Sequence, residues 1–192
     1  MTGIFESAPP ASKLVTENTL RSRIAKAVSI LRRDDFGNGA LASLRRGGPR
    51  AVVDQPTFHR LIAEVDEGAE ENKTFDSAIR WGTIIHAAAL GARVTKVGDF
   101  PSSGKILAEA GLSEARFAKL LATTGDAFRD QIAIVARYLA AKQQPFIGTD
   151  LCELVIREGR WEQREDELRF AIAQHYYNSL ARTAKAVEGA SA

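Results

Sequence analysis

The chain has 192 residues, 45% hydrophobic and 26% charged, the balance of an ordinary globular protein with a buried core. Its most apolar stretch, residues 84–90, falls far short of the ~20 residues that a membrane span requires, and Arg80 and Arg93 bracket it. The net charge of +2 hides an uneven distribution. Between positions 21 and 50, Arg21, Arg23, Lys26, Arg32, Arg33, Arg45, Arg46 and Arg50 face only Asp34 and Asp35, a local excess of +6 that can attract a polyanion.

In chain order, residues 1–15 read as a loose leader rich in Ser, Ala and Pro, without the charged-then-apolar pattern of a secretion signal. Residues 19–33 place Leu20, Ile24, Ala27, Val28 and Leu31 at three- and four-residue spacings, one face of a helix. Gly37, Asn38 and Gly39 break it, and a short helix over residues 40–46 is stopped by Gly47-Gly48-Pro49. Pro56 opens the next helix, whose stripe is Phe58, Leu61, Ile62 and Val65. An acidic loop over residues 66–71 follows. Thr74 or Asn72 caps a helix that runs to about Leu90, with Gly91 as its stop.

Residues 91–104 combine glycines and a proline with weak periodicity and read as an interdomain connection, although Val94 and Val97 also fit a brief strand. Helical patterns then cover residues 106–110, a segment N-capped by Ser113, residues 126–142, residues 150–157 and residues 161–185. No useful strand alternation or internal repeat is present. The fold expected is all-α, as two small helical-bundle domains over residues 16–92 and 105–185 joined by residues 93–104, with a tail over 186–192.

Chemistry is sparse. The single Cys152 excludes an internal disulfide and a multi-cysteine zinc site, and its apolar setting suits a small buried side chain; a cytoplasmic protein is the plain reading. There is no phosphate-binding glycine loop, HExxH or GxSxG. His59, His86 and His175 lie on three separate helices, and His86 reads as a hydrogen-bonded core residue. Glu162, Glu165, Asp166 and Glu167 suit the start of a helix through its dipole, without a metal. No catalytic residue, metal or cofactor is expected.

Arg45-Arg46 before Gly47-Gly48 carries the most information. Two readings stand: cations stabilising the end of their own helix, or guanidiniums gripping phosphate beside glycines that let a nucleic-acid backbone come close. Arg116, Lys119, Arg129 and Arg137 add positive positions in the second half. Phe36 and Phe100 sit in loops where stacking on bases or packing against helix ends is open to them, and Tyr176-Tyr177 should divide between core and surface. Nothing resembles a base-reading code, so backbone contacts are favoured.

Two blocks carry a family resemblance. GNGALASLRRGGPRAVVDQPTFHRLIAEV, residues 37–65, offers Gly39, Leu44-Arg45-Arg46, Phe58 and Arg60-Leu61-Ile62. SSGKILAEAGLSEARFAKLLATTGDAFRDQIAIVARYLAA, residues 102–141, offers Gly104-Lys105 before Leu107-Ala108, then Arg116-Phe117 before Leu120-Leu121, and Arg137 two residues before Leu139. Their order and spacing resemble the CasB family over roughly residues 20–180.

The resemblance implies the non-catalytic small subunit of the type I-E CRISPR surveillance complex, Cascade, an all-helical protein present as a pair. Its implied partners are guide RNA and target DNA, the other subunits and a second copy of itself, with no membrane. Carried over residue by residue, the nucleic-acid contacts are Arg45, Arg46, Lys105, Arg116 and Arg137, where Lys105 stands in a place often held by arginine and keeps charge without bidentate geometry. Two other classes remain: a free-standing helical DNA-binding regulator, and a helical protein-binding adaptor. Circular dichroism of the purified protein should be dominated by helix, and no divalent metal should support cleavage of DNA or RNA. A strand-dominated spectrum, or cleavage abolished by one carboxylate substitution, would overturn the fold or the class.

Overall fold

A computed structural model describes residues 11–65, 74–92, 101–145 and 148–190. Among them lie ten α-helices and one 3-10 turn, with no strand: α1 Ala11–Leu31, the 3-10 turn Asp34–Phe36, α2 Asn38–Arg45, α3 Pro49–Val53, α4 Pro56–Val65, α5 Phe75–Gly91, α6 Ser103–Glu109, α7 Glu114–Ala122, α8 Gly125–Ala141, α9 Thr149–Arg157 and α10 Glu162–Ala190. The all-α expectation holds. The acidic loop over 66–71, Val94, Val97 and Phe100 lie outside the described residues, and the proposed connection is described only from residue 101 onward.

From Ser77 to Gly91 every residue of α5 is buried or partly buried, since its largely apolar sequence leaves no face for solvent, and the helix therefore occupies the centre. Ile79, Trp81, Ile84, Ile85, Ala87, Ala88 and Ala89 are all buried, and Thr74 caps the helix by accepting the Ser77 N–H at 3.2 Å. α1, α2 and α3 pack on it from the first half of the chain, and α8 and α9 from the second. One contiguous apolar core therefore runs from Ile24 to Tyr176. α6 and α10 form the other close pair, with Tyr176 stacked on Phe117 of α7 at a centroid distance of 3.8 Å while Tyr177 is about half exposed.

Two glycines permit these close approaches. A Cβ on Gly82 would lie 2.7 Å from the Pro49 carbonyl oxygen of α3, and one on Gly104 would lie 2.1 Å from the Ile172 carbonyl oxygen of α10. Neither contact can relax through a flexible side chain.

So many short helices leave many backbone ends without intrahelical partners. Charged side chains from distant helices satisfy them. Arg80 of α5, 5% exposed, donates to the Val155 and Glu158 carbonyls at the end of α9 at 2.8 and 2.7 Å. Glu158 in turn accepts the Gly125 N–H that begins α8, at 2.5 Å. Asp150 accepts the Ser103 N–H at the start of α6 at 3.0 and 3.1 Å, and Arg169 of α10 donates to the Leu121 and Thr123 carbonyls at the end of α7.

The local rules depart from the structure at several points: α1 already begins at Ala11, inside the expected leader, α2 takes in Gly39, which reads as a break, and α10 runs on to Ala190, into the expected tail. α3 was not expected, because Pro49 reads as a stop; it is instead the first residue of a new helix, where its missing N–H costs nothing. α6 begins at Ser103, ahead of the expected 106, because Asp150 holds its first amide from another helix. Ser113 sits at the N-cap of α7, yet its side chain makes no capping bond; Arg116 stands where a capping box would place the acidic partner.

The same substitution should have opposite signs at two glycines. Gly104→Ala should cost about 2–3 kcal/mol through overpacking against the α10 backbone, lowering the melting temperature by roughly 5–10 °C. Gly39→Ala, where a Cβ meets nothing within 4 Å inside a helix, should raise it slightly.

Candidate nucleic-acid interface

The candidate site is the turn between α2 and α3. α2 ends at Arg45; Arg46 is extended, with φ −82° and ψ 152°, and Gly47 adopts φ +72°, the left-handed conformation that glycine tolerates best. A Cβ on Gly47 would also meet the Ala51 Cβ at 2.6 Å, whereas one on Gly48 would meet nothing within 4 Å. Gly47 is thus required by the turn, and Gly48 leaves its surface open.

Two reciprocal caps seat this turn on α5. His86 Nδ1 donates to the Leu44 carbonyl at 2.8 Å, near the end of α2. Arg45 Nε donates to the Ala89 carbonyl at 2.8 Å, near the end of α5. Each helix supplies the side chain that satisfies the other's C-terminal turn.

A third helix closes the arrangement. Arg137 of α8 donates through Nη2 to the Gly47 carbonyl at 3.1 Å, and the same nitrogen lies 3.4 Å from His86 Nε2. These contacts agree on one tautomer. The Leu44 carbonyl can only accept, so Nδ1 carries the proton and Nε2 is left as the acceptor for Arg137. Burial pushes the His86 pKa down; the Leu44 carbonyl opposes this, and the nearby Arg137 charge adds to the lowering. The ring is neutral in the folded protein.

The predicted site residues therefore separate. The structure brings Arg45, Arg46 and Arg137 together at the turn, with Arg46 and Arg137 exposed and Arg45 partly buried against α5. Arg45 stabilises a helix end, as one reading expected, but the end is that of α5 rather than of its own helix. Lys105 is exposed on α6 and pairs with Glu109 at 3.8 Å, and Arg116 is exposed on α7. Part of the positive excess over residues 21–50 is paired with acidic side chains: Arg33 with Glu64 at 2.6 Å and Asp35 at 3.2 Å, and Arg50 with Asp126 at 2.8 Å. Arg50, Asp126, Arg129 and Asp130 also line a cleft of about 390 Å³ next to Gly48, where the two signs offset each other.

The remaining candidates have structural roles. Cys152 is fully buried, and burial, with Asp150 nearby, pushes its thiol far up, away from reactive thiolate. Among the described residues no group of three or more His, Cys, Asp or Glu is placed to hold a metal ion. Glu165 is raised by burial, but the Gly159 N–H and Arg169 outweigh that and hold it below the usual carboxylate range. Phe36 packs against the core. The participation of His86 in the turn was not visible in the sequence, since its partners lie 42 and 51 positions away.

The neutral, buried His86 has a consequence for pH dependence. Its folded pKa lies below the ordinary 6.5, so as pH falls through 6.5 the unfolded chain gains a proton that the folded chain does not. Stability is full above that pH and declines below it until the folded pKa is reached. Thermal melts from pH 7.5 to 5 should show this decline, and His86→Asn, which keeps a donor toward Leu44 but cannot titrate, should flatten it. An unchanged slope in the variant would contradict a neutral His86.

A profile of the family described as CRISPR-associated protein Cse2 matches residues 40–177. No curated protein matches the chain. Among solved structures, a chain of the E. coli Cascade crystal structure bound to a PAM-containing dsDNA target is similar in fold, with a TM-score of 0.62 and 16% identity over 81% of this chain and 95% of that one. The matched region spans most of the protein, from within α2 through the turn and Arg137 into α10, and the chain belongs to the CRISPR-associated Cse2 family, also called CasB.

Proposed function

We propose that this protein is the non-catalytic small subunit of a type I-E CRISPR surveillance complex, and that its Gly47 turn holds nucleic-acid backbone when guide RNA engages target DNA. The observation that carries the reading is that Arg137, from the distant α8, bonds the carbonyl of Gly47 in the turn where the neighbouring Arg46 is exposed. Exposed guanidiniums beside an open glycine suit a phosphate oxygen, which they can bind bidentately. The family match and the fold shared with a chain of DNA-bound E. coli Cascade support placing it in such an assembly, with guide RNA, target DNA, the other subunits and a second copy of itself as partners.

A non-catalytic role fits the carboxylates, because those in the interior are engaged with arginines or helix ends. Sequence reading then belongs to the guide RNA, and the protein needs to recognise only a backbone. The exposed Lys105 on α6 and Arg116 on α7 are further nucleic-acid contacts in this proposal. Among the described residues no helix is long and apolar enough to cross a membrane, and the proposed setting is the cytoplasm.

The adjacent arginines should separate in experiment. Arg45→Ala removes the donor to Ala89 and should lower stability by about 1 kcal/mol. Arg46→Ala should leave the melting temperature unchanged, yet complexes containing it should release target DNA faster, and to a similar degree for every target sequence. Combining Arg46→Ala with Arg137→Ala should reduce the steepness with which added salt weakens DNA binding. Failure of the chain to assemble with the other subunits, or DNA release unaffected by the double change, would contradict the proposal.

A further inference from the structure

We infer that His86 is a positioning residue for nucleic-acid binding: its Nε2 holds Arg137 against the Gly47 turn so that the rest of the guanidinium is presented outward. This rests on the reading of the turn as a backbone contact and assigns a role to a residue that nucleic acid cannot reach, since His86 is 0% exposed.

Arginine is a long side chain with several rotamers, so an unrestrained guanidinium on α8 would lose conformational freedom on gripping a phosphate. Here one nitrogen, Nη2, is already committed to two acceptors, the Gly47 carbonyl at 3.1 Å and His86 Nε2 at 3.4 Å. The guanidinium has five N–H donors, and Arg137 is exposed, so donors remain to face solvent. His86 can accept only because Leu44 fixes its proton on Nδ1. The chain of constraints runs from the end of α2, through the imidazole, to the outward face of α8. Arg45, bonded to Ala89 one turn further along α5, holds the same helix ends in register.

Two amide substitutions separate positioning from simple structural support. His86→Asn puts an amide near the place of Nδ1, keeping the Leu44 bond and losing the acceptor for Arg137. His86→Gln reaches toward the place of Nε2, keeping an acceptor for Arg137 and losing the Leu44 bond. In surveillance complexes reconstituted with each variant, dissociation of target DNA and the melting temperature of the free subunit are measured together.

Positioning gives crossed rankings. H86N should be the more stable variant but release DNA roughly fivefold faster than the natural chain, as loss of one hydrogen bond implies. H86Q should be the less stable but stay within about twofold in release. Arg137→Ala should accelerate release at least as much as H86N, and adding H86N to it should change nothing further. Parallel rankings, or additive effects of H86N and Arg137→Ala, overturn the inference while leaving Arg137 as a contact. Unchanged release from Arg137→Ala overturns the contact itself, and the inference with it. If H86N does not incorporate, H86Q against Arg137→Ala still decides: equally fast release from both overturns positioning.

Discussion

A helix buried at its ends must find partners there for backbone groups that its own hydrogen bonds cannot reach, at a cost of about 1–3 kcal/mol for each one left unsatisfied. With ten helices among the described residues, several of them under ten residues long, this constraint governs the molecule. It is met by charged side chains, and by the neutral His86, crossing between helices. Arg80 serves the end of α9, Glu158 the start of α8, Asp150 the start of α6, Arg169 the end of α7, and His86 and Arg45 serve the ends of α2 and α5. These bonds join segments tens of residues apart and tie the short helices to their neighbours.

The same constraint explains why charge in the sequence is a poor guide to the site. The buried Arg80 pairs with the half-exposed Asp76, whose carboxyl is held below its usual range first by its hydrogen bond to Arg80 and then by Arg160, against the opposing effect of partial burial. Arg33 and Arg50 are engaged by acidic partners on other elements. Removing the arginines held in ion pairs or inside the fold leaves a smaller exposed set, which includes Arg46 in the turn and Arg137, whose Nη2 bonds the Gly47 carbonyl while the residue stays exposed. The proposed interface draws its geometry from the fold's own capping network, in which Gly47 and His86 anchor the Arg137 fork at one nitrogen.

Apolar periodicity made most helices legible: Ile24, Val28 and Leu31 on α1, Phe58 and Leu61 on α4, and Phe128, Ile132 and Val135 on α8 are all buried as their spacing predicts. What the sequence concealed depends on contacts between distant residues. Nothing local marks Pro49 as a beginning rather than an end, or tells Ser103 that Asp150 will hold its amide. Nothing near Arg45 separates it from Arg46, although one reaches a carbonyl 44 positions away and the other faces solvent. The glycine pair was legible as a turn; that Gly47 would accept from Arg137, 90 positions on, was not.

The Gly47 turn is proposed to meet nucleic-acid backbone in the assembled complex. A structure of the reconstituted surveillance complex with target DNA, resolved well enough to place side chains, tests it most directly. A phosphate oxygen should lie within hydrogen-bonding distance of the Arg46 or Arg137 guanidinium, with Arg137 still bonded to Gly47. A turn that faces open solvent, or lies buried against another protein subunit with the nucleic acid elsewhere, would contradict it.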